Sequence, residues 1–179
     1  MFDFTHTFSG KHLTFLDPKE DQIVLEDIAN SLSKNCRYCG AVNKFYSVAE
    51  HSVLLAEKVL ELGGDKQEAL GALMHDASEA YLCDIPRPIK PFLVGYQEME
   101  DKLSKVIFSK FKLKPVTERV LNLDHHIVAD EAKVLFNNVP EWVSHYEEIG
   151  VEILGLGHEE SSALFLETYY KLTEGEEFE

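Results

Sequence analysis

The chain has 179 residues, a formal net charge of −15 and only three arginines; that size allows one domain with a real core, and that charge repels duplex DNA and anionic lipid at long range. No apolar run approaches the ~20 residues needed to cross a bilayer, and the apolar content is that of a globular protein rather than a disordered one. Three cysteines, an odd number, and an N-terminus without a charged and then apolar leader fit a cytoplasmic protein.

Residues 4–16 alternate aromatic and polar side chains about Ser9-Gly10, which predicts a short hairpin with a two-residue turn, lying against helices. Asp17-Pro18 ends it. A helix from about Leu25 to Lys34 buries Leu25, Ile28, Ala29 and Leu32. The loop Asn35–Gly40 holds Cys36 and Cys39. With no second Cys-x-x-Cys and no preceding thioredoxin-like strand, small buried thiols fit better than a zinc or redox site. Arg37 beside Tyr38 can grip a phosphate bidentately or make an ordinary surface salt bridge. Ser47-Val-Ala-Glu50 is a capping box that opens a helix ending at Gly63-Gly64, with Val48, Leu55, Val59 and Leu62 as its apolar positions. His51 lies in its first turn, where a hydrogen-bonded core histidine is the ordinary reading.

The next helix, with Asp65 as N-cap, carries an apolar stripe of Ala69, Leu70, Ala72, Leu73, Ala77 and Ala80. His75, Asp76 and Glu79 interrupt that stripe. Buried carboxylates need a partner or a metal. On a continuous helix His75 and Asp76 can turn toward one point, and Glu79 shares the face of His75. Imidazole with carboxylate suits a divalent transition metal, and a carboxylate one turn along can handle the proton of a water. A helix end with a solvated acidic face is the plainer alternative.

Cys83–Pro91 follows, with three prolines fixing an extended, stiff loop that bears Asp84, Arg87 and Lys90. It reads as a preorganised site wall or as a simple helix stop. Residues 96–111 form an amphipathic helix with Met99, Leu103, Val106, Ile107 and Phe111 inward. A long helix from Val116 to about Asn137 follows, with Val120, Leu121, Leu123, Ile127, Val128, Ala132, Leu135 and Phe136 as its apolar set. It contains Asp124-His125-His126 and Asp130-Glu131. Asp124, among apolar neighbours, again asks for a partner, and at most one of the two adjacent histidines faces inward. Beyond Pro140, residues 141–157 are a turn-rich connection with a short helix at Trp142–Tyr146. A last helix, His158 to about Leu172, buries Ala163, Leu164, Leu166 and Tyr169, and the acidic tail after it frays. The chain reads as a single all-α domain with an N-terminal hairpin.

Taken together, His51, then His75-Asp76, then Asp124, on separate helices, resembles the HD-domain metal-dependent phosphohydrolases. The likeness spans nearly the whole chain and is nearest to the YfbR-like 5'-deoxynucleotidases and the phage-type dATP triphosphohydrolases. Its pieces are Ser47-Val-Ala-Glu-His51-Ser, His75-Asp76-Ala-Ser-Glu79, Asp84-Ile-Pro-x-Pro-x-Lys90, and Asp124 with Ala129-x-Glu131-Ala. The resemblance implies an HD-type helical bundle in which His51, His75, Asp76 and Asp124 hold one divalent ion (Co, Mn, Zn, Fe or Mg). It implies Glu79 and Asp84 as the acid/base pair, Arg37 as the phosphate-gripping arginine followed by the aromatic Tyr38, and Lys90 as a contact for further phosphates. Leu121 and Leu123 depart from the pattern, standing where many relatives have a basic residue and an alanine before the aspartate. The expected reaction is hydrolysis of the 5' phosphoester of a deoxynucleoside monophosphate. Arg87 and Lys90 lean toward the alternative, release of triphosphate from a dNTP, and a non-catalytic nucleotide-binding regulator is the reading from another class. A homodimer through residues 96–111, or a higher homo-oligomer, is the expected assembly.

Overall fold

A computed structural model describes residues 4–174; the tail expected to fray lies, beyond Glu174, outside the described residues. The chain is mostly helical with an N-terminal two-stranded antiparallel hairpin. Strand β1 (Phe4–His6) pairs with β2 (His12–Thr14) in the register Phe4↔Thr14, Thr5↔Leu13, His6↔His12. The turn differs from the expected two-residue one. Thr7 N–H still donates to Lys11 O at 3.0 Å, so the loop is Phe8-Ser9-Gly10, and Gly10 at φ 85° closes it as a bulge of the kind glycine allows. The hairpin lies against the helices through Leu13, which is buried, and through Ser9, whose N–H and hydroxyl donate to Asp27 at 2.6 and 2.8 Å.

Asp27 belongs to α1 (Leu25–Leu32), whose inward face is Leu25, Ile28, Ala29 and Leu32. Helix α2 (Val48–Glu61) starts where Ser47 Oγ accepts the Glu50 N–H at 3.1 Å. Only that half of the capping box forms, because the Glu50 carboxylate turns away to a distant segment. The helix stops at Gly63 (φ 78°), and Leu62 is half exposed rather than inward. Helix α3 (Lys66–Met74) is capped by Asp65, whose carboxylate accepts the Glu68 N–H at 2.7 Å. Helix α4 (Glu79–Leu82) is a single turn, followed by α5 (Tyr96–Lys110) and α6 (Glu118–Leu135). Leu121 of α6 points to solvent, and Met99 and Val106 of α5 are only partly buried. In α7 (His158–Thr173) the buried face is Phe165, Tyr169 and Leu172, an i, i+4, i+7 set. The expected Ala163 is exposed, because a larger aromatic face one-half turn away wins the core.

Helices α1, α2, α3 and α7 pack on one another around Ile28, Leu32, Leu55, Leu70, Leu73 and Phe165. Helix α6 lies against α2 and α3. The connection from α6 to α7 includes a short 3-10 turn at Glu141–His145. Two buried carboxylates hold the rest of it. Asp130 accepts the N–H groups of Ile149, Gly150 and Val151 at 2.8, 2.9 and 3.1 Å. Glu50 accepts those of Leu154, Gly155 and Leu156 at 2.8, 2.9 and 2.8 Å. No helix among the described residues is long and apolar enough to cross a membrane. Cys36 is half-buried and Cys39 exposed, both as free thiols, so the expectation of buried thiols fails. The loop turns outward there because Tyr38 and Cys39 adopt left-handed backbone.

Candidate metal centre

The stretch after α3 is not the continuous helix its pattern suggests. Helix α3 ends at Met74, and residues 75–78 form a tight turn in which Ala77 N–H donates to Met74 O at 3.1 Å and Glu79 N–H to Asp76 O at 2.9 Å. Bonds of this i→i+3 kind wind the chain to 3 residues per turn, which eclipses side chains three apart. Asp76 and Glu79 therefore align, where a continuous helix would have aligned His75 with Glu79.

His51 from α2, His75 and Asp76 from this turn, and Asp124 from α6 converge. His75 Nε2 lies 3.1 Å from Asp76 Oδ2 and 3.7 Å from Asp124 Oδ1. His51 Nε2 lies 3.7 and 3.2 Å from the same two oxygens. The other ring nitrogens are engaged elsewhere: His51 Nδ1 with Glu131 Oε1 at 2.9 Å, and His75 Nδ1 with Ala72 O at 2.8 Å. Each Nδ1–H is held by an acceptor, which turns each Nε2 into the cluster, where it becomes a ligand atom once a cation takes the place of a proton. Both Nε2 atoms are buried and neither makes an aligned hydrogen bond. This donor set fits a divalent cation: two imidazole nitrogens and carboxylate oxygens around one point.

The charges agree. Burial opposes a proton on His75, but Asp76 and Asp124 together outweigh it and hold the imidazole well above its ordinary pKa. Burial would raise Asp76, yet His75 holds it at about 2. Asp124 is likewise held far below the carboxylate range, against burial, by the two histidines. A cation at the centre of these groups would replace the proton they share.

Glu79 is buried with one oxygen unpartnered, and burial, then Asp76 and Asp84, push its carboxyl up to about 9. Asp84 is half-buried, and burial raises its pKa against the pull of Arg37. The prolines set a turn after Asp84 rather than a fully extended loop: Ile89 N–H donates to Pro86 O at 2.8 Å, and Lys90–Phe92 form a 3-10 turn. Lys90 Nζ bonds Glu100 Oε1 at 2.9 Å and lies 3.7 Å from Glu79 Oε1. Glu100, which the sequence did not single out, also accepts from the Tyr96 hydroxyl at 3.2 Å. Arg87 pairs with Asp124 Oδ2 at 2.8 Å while most of its side chain remains in solvent. Arg37 is nearly buried; its Nη2 donates to Glu131 Oε2 at 3.1 Å and its Nε has no partner. The Tyr38 hydroxyl donates to the same Oε2, and its ring packs edge-on against Phe136. His126 turns to the Glu147 backbone, away from the cluster.

Glu131 stands in the last matched piece of the sequence, yet the resemblance implies no role for it. It follows Asp124 by seven residues, two turns along the same face of α6, and an acid repeated on a buried face was the available signal.

Fold and site together define a helical protein in which His51, His75 and Asp76 each offer one ligand atom within 4.8 Å of the others, a group able to hold a metal ion. The chain is 40% identical over 178 residues to the uncharacterized protein YfdR of Escherichia coli (strain K12), covering 96% of each chain, and it belongs to that family. An uncharacterized protein of Rhodobacter capsulatus, RCAP_rcc00048, is 38% identical over 113 residues, 60% of this chain and 58% of the relative. No family model matches.

Proposed function

We propose that the protein is a metal-dependent phosphohydrolase of HD type that cleaves the 5' phosphoester of a deoxynucleoside monophosphate. The observation that carries this reading is the convergence of two unpartnered, buried Nε2 atoms and two carboxylates beside a third carboxyl whose proton affinity is strongly raised. His51, His75, Asp76 and Asp124 would hold the ion. When bound, it would offset phosphate charge and ease the ionisation of water. Arg37, with a free Nε at the edge of the cluster, orients a phosphate. Glu79 and Asp84 are both carboxyls of raised proton affinity and can trade a proton between them. Water attacks phosphorus and gives its proton to one carboxylate. The bond from phosphorus to the 5' oxygen breaks, and the other carboxylic acid protonates the departing alkoxide. Lys90 and Arg87 are each already paired with a carboxylate, which favours one phosphoryl group over a triphosphate chain.

The test is multiple-turnover phosphate release with Mn²⁺, Co²⁺ or Zn²⁺ on a panel of dNMPs and dNTPs, products resolved by chromatography. Glu79→Ala should keep its metal and bind nucleotide while kcat falls about 10²–10⁴-fold, the span of general acid–base groups. Arg37→Ala should raise KM as well as lower kcat, since it holds a phosphate charged before and during reaction. Metal-loaded protein that binds nucleotides and never turns over would replace this reading with that of a regulator.

A further inference from the structure

Glu131 is completely enclosed, yet its two oxygens serve two different neighbours. Oε1 meets His51 Nδ1 at 2.9 Å, and Oε2 accepts from Arg37 Nη2 at 3.1 Å and from the Tyr38 hydroxyl. One oxygen thus faces the donor cluster through His51, and the other faces Arg37.

The backbone on the Arg37 side needs such a hold. Tyr38 and Cys39 have φ of 57° and 52°, and Gly40 follows at 75°. Left-handed backbone is costly for residues with a Cβ and persists only where the surroundings over-determine it. The surroundings here are the grip of Glu131 on two successive side chains, the Tyr38 ring against Phe136, and the Arg37 N–H to Tyr46 O bond at 2.9 Å. Releasing Glu131 removes the only charged contact among them.

We infer that Glu131 is a positioning residue shared by two functions: it fixes His51 as the Nδ1–H tautomer with Nε2 turned into the donor cluster, and it holds the Arg37 guanidinium at the edge of that cluster to receive an anion. One buried carboxylate thus ties cation capture to phosphate capture. The inference rests on the reading of the cluster as a metal and phosphate site, but its core, the orientation of His51 and Arg37, can be read without turnover.

The variant is Glu131→Gln. Glutamine offers one carbonyl oxygen and one NH₂, and all three partners of Glu131 act as donors to it, so the amide cannot satisfy both sides. Imidazole ¹⁵N NMR of EDTA-treated protein should show His51 as the Nδ1–H tautomer in the parent and a mixed or reversed tautomer in the variant. The dissociation constant for Mn²⁺, read by electron paramagnetic resonance without nucleotide, should rise about 10–100-fold, the usual effect of removing a ligand's outer partner. Inorganic phosphate, titrated calorimetrically into EDTA-treated protein, should bind more weakly to the variant. If Glu131→Gln does not fold, the paired Arg37→Met/Glu131→Leu variant removes both charges at once, and the same tautomer and Mn²⁺ measurements apply. An unchanged His51 tautomer with unchanged Mn²⁺ affinity overturns the inference, as does a parent protein whose His51 is not the Nδ1–H tautomer. Unchanged phosphate binding overturns the Arg37 half. Changed tautomer and Mn²⁺ affinity in a protein that hydrolyses no nucleotide would leave the inference standing and remove the phosphohydrolase reading instead.

Discussion

Glu50→Gln separates two roles for one residue. In a capping box Glu and Gln are interchangeable, because either side chain can reach back to the N-cap N–H. The structure instead gives the Glu50 carboxylate three backbone donors of the α6–α7 connection, at 2.8, 2.9 and 2.8 Å, in a buried site. Gln keeps an acceptor for Leu154 and Gly155 but sets its NH₂ against the Leu156 N–H. A buried donor left unsatisfied costs about 1–3 kcal/mol. The two remaining bonds lose their charge assistance, which makes them roughly half as strong. Together these give a loss of about 2–4 kcal/mol. For a domain of this size that is a fall in Tm of roughly 5–15 °C. Calorimetry and urea unfolding followed by circular dichroism measure it. A loss below about 0.5 kcal/mol would mean that Glu50 acts as an ordinary cap and that the three amides find other partners.

Other outcomes follow from the same contacts. Asp76→Ala and Asp124→Ala should each lose most of their metal by elemental analysis, and full stoichiometry in both would remove the assignment. In metal-free protein near neutral pH, His75 carries a proton that Asp76 stabilises. Metal uptake should therefore release about one proton from it, and affinity should fall as pH drops. Calorimetry in buffers of different ionisation enthalpy reads this directly, and zero proton release would contradict it. The same pair stabilises the metal-free fold at low pH, and that contribution is lost as pH rises through the raised folded pKa of His75. Cys36→Ser/Cys39→Ser should keep activity within about tenfold, because neither thiol is buried or bonded to the other. Complete loss with the fold intact would give those thiols a role.

The helices were legible because their cause is local. Apolar spacing and the Ser47 and Asp65 caps act within a few residues, and α1, α2 and α3 begin where those signals stand. The histidines and aspartates of the cluster were legible as polar breaks in apolar faces. What the sequence hid depends on partners far along the chain. Glu50 and Asp130 look like helix-surface acids until residues 149–156 are placed against them. Glu131 becomes the partner of Arg37 only once residues 94 positions apart meet. The turn at 75–78 was hidden differently: apolar spacing is the same whether the winding is α or 3-10, so only the backbone hydrogen bonds distinguish them. On α7 Tyr169 is buried and Leu164 and Leu166 pack against the core as expected, but Ala163 is exposed because the larger Phe165 takes the core position beside it.

The scatter of the cluster along the chain has a consequence in time. Fifty-five residues separate Asp76 from Glu131, so at a synthesis rate of ~5–20 residues per second the ribosome has made His51, His75 and Asp76 about 3–11 s before Glu131. For most of that interval the nascent chain has two imidazoles and one carboxylate without Asp124, and throughout it lacks the group that fixes the His51 ring. If the cluster binds a metal, a divalent cation would meet this partial set first, under conditions of supply rather than of finished geometry. On the metal reading, the ion found in freshly made protein should therefore track the metal content of the growth medium, while unfolding and refolding the complete chain in a chosen metal should reset it.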